Sequence, residues 1–317
     1  MPVLRSAAAP AVGEFAGDEV VVDALKRVHA LREDIQRVVD ATLDDMLDAG
    51  SPADLVALLA RPVPARVICL LLGVPYADHA FFQQAAARAL AGDADPADVR
   101  VALGELADYL DALVQDKART GGDDILAELA RDHLLPGTID RPELVNIAMT
   151  LLVAGFETTG NMIGLGTALF LGHPEQRDLF MAGDEALRTN AVEELLRFLT
   201  VAQHPRQLAV RSEVTVAGCP LRPGDGVLVS LPSANRDPQA FEDPDVFDVT
   251  RPARGHLAFS HGTHQCLGQA LARLELLLTF QTLFARVPTL RLVDGPDDFD
   301  LNTHSRVHGF ASLRVAW

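Results

Sequence analysis

Between residues 21 and 49 the apolar side chains Val28, Leu31, Ile35, Val38, Leu43 and Met46 return every three to five positions, until Gly50 interrupts them. That spacing lines one face of a helix, so the segment is predicted to be amphipathic and helical. The same periodicity predicts helices over 55–72, 98–119 and 124–132, separated by short Pro, Gly and Asp punctuation. Asp140 is followed three residues later by Glu143, a capping-box spacing, and a helical pattern then runs to about Leu171, where Gly172-His173-Pro174 ends it. At 1.5 Å per residue this helix is about 45 Å long. It is apolar on nearly all sides, so it is expected to cross the centre of a domain. A further helix is predicted around 189–199.

The period then changes. Val214 and Val216 alternate ahead of Arg222-Pro223-Gly224-Asp225-Gly226, and Val227, Leu228 and Val229 follow, a pattern that predicts a hairpin. From Asn235 to about His264 the chain is rich in Pro, Asp and Arg, and an ordered irregular stretch of that length is usually functional. A helix is predicted to begin near Cys266. With no linker, repeat or low-complexity block, residues 1–317 read as one domain, mainly α with a minor β component.

Composition narrows the function classes. Lys and Arg total 27 against 44 Asp and Glu, a formal net charge of -17, while 49% of residues are apolar. The apolar fraction excludes an intrinsically disordered chain. The acidic balance gives no electrostatic reason to approach nucleic acid or an anionic membrane. No apolar run reaches the roughly 18 residues of a membrane span, and the start MPVLRSAAAP lacks the features of a secretion signal, so a cytoplasmic location is expected. Cys69, Cys219 and Cys266 are too few and too scattered for a zinc pattern or a disulfide framework.

The chemistry concentrates around Cys266. Phe259-Ser260-His261-Gly262-Thr263-His264-Gln265-Cys266-Leu267-Gly268 runs into the helical Gln269-Ala270-Leu271-Ala272-Arg273-Leu274-Glu275. A thiol at a helix start is stabilised as thiolate by unpaired N–H groups and the helix dipole. Gly262 and Gly268 let the backbone approach a flat ligand. Taken singly, a lone cysteine is more often a small buried apolar residue, and His264 alone more often a capping or solvated side chain. As a set, the pattern Phe-x-x-Gly-x-His-x-Cys-x-Gly-x-x-Leu-Ala-Arg-x-Glu resembles the haem-binding signature of the cytochrome P-450 monooxygenases. The resemblance implies that Cys266 is the axial thiolate of the haem iron and that His264 hydrogen-bonds a haem propionate, with Phe259, Gly262 and Gly268 framing the loop. Ser260 departs from the pattern, which usually has glycine beside the Phe.

In the middle of the long helix stands Ala154-Gly155-Phe156-Glu157-Thr158-Thr159, with an internal glycine and a carboxylate in an otherwise apolar element. Ala154 and Thr158 share a face one turn apart. On its residues alone this is equally a small polar packing patch. It also resembles the family's Ala-Gly-x-(Asp/Glu)-Thr motif, which implies that Ala154 and Gly155 lie beside the haem and that Glu157 and Thr158 are the acid and alcohol that relay protons to dioxygen.

Glu194 and Arg197 are three apart on a helix and can pair, while Glu193 reaches Arg197 at four. In isolation this reads as a surface ion pair. Glu-x-x-Arg nevertheless resembles the family's helix pair, and the segments 234–238 and 247–251 resemble the meander of its bacterial members. Arg251 is then implied as the third member of a Glu194-Arg197-Arg251 network serving folding and haem insertion.

The resemblance runs from about Leu25 to the C-terminus. The family pattern holds more chain before the first long helix than this sequence does, so a cytochrome P-450 fold lacking much of its N-terminal part is expected. Leu4-Arg5 matches the end of the missing propionate-binding helix only faintly. Leu208 falls where another propionate-binding Arg is expected, with Arg206 two residues away.

The reading is a haem-thiolate monooxygenase carrying haem b (iron protoporphyrin IX), with dioxygen as co-substrate. It would place one oxygen atom into a mostly apolar small molecule by hydroxylation or epoxidation. No dinucleotide-binding glycine motif occurs, so electrons from NAD(P)H are expected through a separate ferredoxin or flavodoxin-like donor with its reductase. The alternative is a truncated, catalytically inactive haem-binding fragment.

Overall fold

The computed structural model describes residues 4–6, 28, 30–90, 95–203, 206–262, 265–302 and 307–317. Helices dominate. α1 (Arg32–Ala49) buries Ile35, Val39, Leu43 and Met46 along one stripe, as its periodicity requires. Residues 21–27 and 29 of the expected helix lie outside the described residues; a short strand, β1 (Leu4–Ser6), stands earlier in the chain. At Leu4-Arg5, a faint match to a helix end in sequence, the backbone is extended and pairs with a later strand.

After the short strand β2 (Ala53–Asp54) a π-helical turn over Val56–Ala60 leads into α2 (Pro62–Leu72), which stops at Gly73 in the left-handed conformation. α3 (His79–Leu90) follows, a helix absent from those the sequence pattern predicts. α4 (Pro96–Thr120) and α5 (Ile125–Leu129) are capped by the side chains of Asp95 and Asp124.

The long helix α6 (Arg141–Gly172) has 32 residues and begins at the expected capping box. Glu143 N–H donates to Asp140 Oδ1 and Asp140 N–H to Glu143 Oε2, both at 2.8 Å. Pro174 does not merely end it. It opens α7 (Pro174–Ala182) at a position where its missing N–H costs nothing. α8 (Glu185–Leu199) starts at the Asp184 cap, a full turn before the predicted boundary.

The hairpin expected from 214–229 is built differently. β4 (Val214–Val216) pairs with β5 (Cys219–Leu221), while β6 (Gly226–Val229) pairs with β3 (Arg206–Val210). The reason is the two-residue turn Ala217-Gly218, whose φ angles of +47° and +81° form the left-handed pair that suits a tight hairpin. β3 also receives β1 antiparallel, with Leu4 opposite Val210. A second small sheet joins β2, β7 (Arg291–Leu292) and β10 (Arg314–Ala316). β8 (Asp300–Leu301) pairs with β9 (Phe310–Ser312). Between the short helix α9 (Leu231–Ala234) and the last helix, α10 (Gln269–Arg286), the described chain has neither strand nor long helix.

The core forms around α6. Phe170 near its end meets Phe180 of α7, Phe247 of the irregular stretch, and Phe280 and Phe284 of α10, with ring centroids 5.2 to 5.7 Å apart and mostly edge to face. Midway along, the space a Cβ at Gly155 would need is taken by Ile68 of α2, whose Cδ1 would stand 2.8 Å away. Glycine there allows close helix approach, which offsets its low helix propensity.

Candidate active site

The cysteine loop is shaped by its backbone. Ser260 at φ +63° and Gly262 at φ +85° both turn left-handed, and the loop closes where the Cys266 N–H donates to the Phe259 carbonyl at 2.9 Å. α10 begins only at Gln269 with Gly268 as N-cap, so Cys266 stands three residues ahead of the helix rather than in its first turn. This corrects the expected helix start, and the Cys266 N–H is already committed to Phe259. The Cys266 residue itself is exposed. Thr263 and His264 lie outside the described residues, so the proposed propionate contact of His264 is not described.

A carboxylate network braces this loop. Glu193 of α8 accepts Arg273 Nε at 2.6 Å and Arg273 Nη2 at 3.0 Å, and its Oε2 lies 3.0 Å from His256 Nε2. Arg273 in turn lies over the Phe259 ring, 4.6 Å from its centroid. Burial alone would push the Glu193 carboxyl up, but its partners hold it down at about 2. The sequence spacing offers Glu193 as a rival partner for Arg197, but its carboxylate pairs with Arg273 and His256 instead. The available signal was Arg273 itself, inside the Leu-Ala-Arg part of the signature.

The neighbouring carboxylate does pair with Arg197. Glu194 receives Arg197 Nε at 2.6 Å and Nη2 at 2.7 Å, with both side chains 0% exposed, and Arg251 Nε donates to the same carboxylate at 3.2 Å. The two guanidinium groups then satisfy main-chain carbonyls of the irregular stretch. Arg197 reaches Asn235 and Pro244, while Arg251 reaches Glu242, Asp243 and Val246. A segment without ladders of its own is thereby ordered by side-chain donors. Asn235 adds a link from Thr200 Oγ1 to the Leu257 N–H, at 2.8 and 2.6 Å.

On α6, Glu157, Thr158 and Asn161 stand three, four and seven positions after Ala154, the spacing that places all four on one face. Ala154 is exposed although it sits mid-helix in the central element. Thr158 Oγ1 donates back to the Ala154 carbonyl at 2.8 Å. Burial pushes the Glu157 carboxyl above its usual range, opposed by the charge of Arg61 and a hydrogen bond with Asn161. Asn161 was missed from sequence, although its place four residues after Glu157 is a helical pairing distance. Its Nδ2 also reaches the Val307 carbonyl at 3.4 Å, and Gly309 packs so closely on its amide that any Cβ there would overlap it.

These residues suit a haem. A flat iron macrocycle needs a soft anionic donor on one face and small side chains on the other. The chain offers an accessible thiol on a backbone-pinned loop, and separately an exposed alanine beside an alcohol and a carboxyl. Among the described residues no helix is long and apolar enough to cross a membrane.

Comparison with known proteins agrees. The cytochrome P-450 family model matches residues 186–291. Pentalenic acid synthase of Streptomyces avermitilis is 46% identical over 293 residues, which span 92% of this chain and 72% of that protein. Vitamin D3 dihydroxylase of Streptomyces griseolus is 45% identical over the same shares. Among solved structures, the mycinamicin VIII methyl hydroxylase of Micromonospora griseorubida, bound to mycinamicin VIII, superposes with a TM-score of 0.90 at 39% identity, covering 94% of this chain and 76% of that one. With such identity over most of both chains, this protein belongs to the cytochrome P-450 family of haem-thiolate monooxygenases.

Proposed function

We propose that the chain hydroxylates or epoxidises a mostly apolar small molecule, with Cys266 as the thiolate that holds haem b. The observation that carries this reading is the accessible Cys266 thiol on a loop closed by the Phe259 carbonyl. Haem, when bound, supplies the activation of dioxygen. Ala154 leaves room beside it, whereas Gly155, also expected beside the haem, packs against Ile68 of α2; Phe259, Gly262 and Gly268 frame the thiolate side, and His264 anchors a propionate. The names of the relatives, a synthase, a dihydroxylase and a methyl hydroxylase, agree with oxygen insertion into carbon frameworks.

The protein's own side chains handle the protons. Glu157, its carboxyl raised by burial, takes a proton from solvent more readily near neutral pH than an ordinary carboxylate. Thr158 passes it on through a hydroxyl held in the helix groove. Glu194, Arg197 and Arg251 serve folding of the stretch that carries the loop. Electrons come from NAD(P)H through a ferredoxin or flavodoxin-like donor and its reductase, in the cytoplasm, and residues 1–317 act as one domain.

The test is the spectrum of the reduced, carbon monoxide-bound protein with its haem stoichiometry. A strongly red-shifted Soret band at one haem per chain supports the reading. Haem bound without that band would instead indicate an inactive haem-binding chain.

A further inference from the structure

His256 is buried, its side chain only 2% exposed, and lies ten positions before Cys266, outside the signature itself. Both ring nitrogens have partners. Nδ1 stands 3.1 Å from the Ala258 backbone nitrogen, whose hydrogen it must accept, because an amide N–H has no lone pair to offer. The ring proton is therefore on Nε2, which donates to Glu193 Oε2 at 3.0 Å. A doubly protonated ring would set an Nδ1–H against the Ala258 N–H inside a buried site. The charge of Glu193 is balanced by Arg273, which needs no proton from the imidazole.

The consequence reaches the cysteine. The His256 ring lies 5.9 Å from the Phe259 ring, which Arg273 covers on another side. One carboxylate thus aims two side chains at Phe259, and the Phe259 carbonyl receives the Cys266 N–H. We propose that His256 is a positioning residue for the thiolate loop: a neutral imidazole, aimed by Glu193 through Nε2–H, that fixes the Ala258-Phe259 backbone by accepting the Ala258 N–H on Nδ1. The inference rests on Cys266 being the haem ligand. Its role differs from that of the Glu194 network, which orders the irregular stretch and makes no contact with His256, Arg273 or Phe259 among the described bonds.

Two measurements test it. In histidine-labelled holoenzyme, reduced and carbon monoxide-bound, nitrogen NMR at neutral pH is expected to find His256 with Nδ1 unprotonated and Nε2 protonated. A protonated Nδ1 overturns the proposal, and this measurement needs no folded variant. His256→Leu is then expected to move part of the Soret absorption to shorter wavelength and to shift the haem reduction potential. His256→Asn, whose Oδ1 stands close to the place of Nδ1 and accepts the Ala258 N–H, is expected to restore both. A His256→Leu protein with the wild-type band and potential overturns the proposal, as does an Asn variant as altered as Leu. A wild-type holoenzyme without the red-shifted band would remove the Cys266 assignment itself and the proposal with it.

Discussion

Glu193 and Glu194 are neighbours on α8, yet their carboxylates serve separate networks, Glu193 toward Arg273 and His256 beside the cysteine loop, Glu194 toward Arg197 and Arg251. A helix turns about 100° per residue, so adjacent side chains diverge by that angle and reach different partners. Four predictions follow from this arrangement and from the site it supports.

Glu194→Gln leaves Arg197 charged, fully buried and without its carboxylate. Removing one member of a buried pair typically costs about 3–5 kcal/mol, far above the 0–1 kcal/mol of an exposed pair. Urea unfolding is expected to show a loss of that order. A loss below about 1 kcal/mol would mean that the main-chain carbonyls alone hold Arg197.

Ser260 occupies a left-handed conformation at φ +63°, where a Cβ is strained by roughly 1–2 kcal/mol. Ser260→Gly removes that strain but gives the unfolded chain more freedom, worth about 0.4–1 kcal/mol. A net gain between zero and about 1.6 kcal/mol is expected in thermal unfolding, and destabilisation would show that the hydroxyl makes a compensating contact.

Thr158→Ala removes a hydroxyl whose described bond is to its own helix, so stability should fall by no more than about 1.5 kcal/mol. Product formation is expected to drop by roughly 10²-fold, the lower end for a lost general acid–base group, while NAD(P)H is still consumed and peroxide accumulates. Thr158→Ser should retain coupling. Unchanged product per NAD(P)H in the Ala variant removes Thr158 from the relay.

Glu275 is 1% exposed, its Oε2 has no hydrogen-bond partner, and burial raises its pKa well above the ordinary carboxylate value. Above that ordinary value the unfolded chain has released a proton that the folded chain keeps. Stability therefore declines as pH rises from about 4.5 toward the raised value, by at most about 1.4 kcal/mol per pH unit. Glu275→Gln does not titrate, so its advantage over wild type is expected to grow with pH. Parallel stability profiles for the two proteins would show that the Glu275 carboxyl is ionised in the fold.

Local rules made much of the chain legible in advance. The Asp140–Glu143 capping box depends on a three-residue spacing, and the apolar stripe of α1 on a 3.6-residue period. The pairing of Glu194 with Arg197 also lies within one helical turn. Fold class and family were readable because the residues around Cys266 are contiguous in sequence. What needed the tertiary structure is whatever joins distant segments. His256 and Arg273 stand 63 and 80 positions from Glu193, and no periodicity links them. Strand partners escaped for the same reason, since β6 pairs back across the β4–β5 hairpin with β3. Sequence spacing determines which side chains share a helix face, but only packing brings two segments close enough for a buried carboxylate to choose its donors.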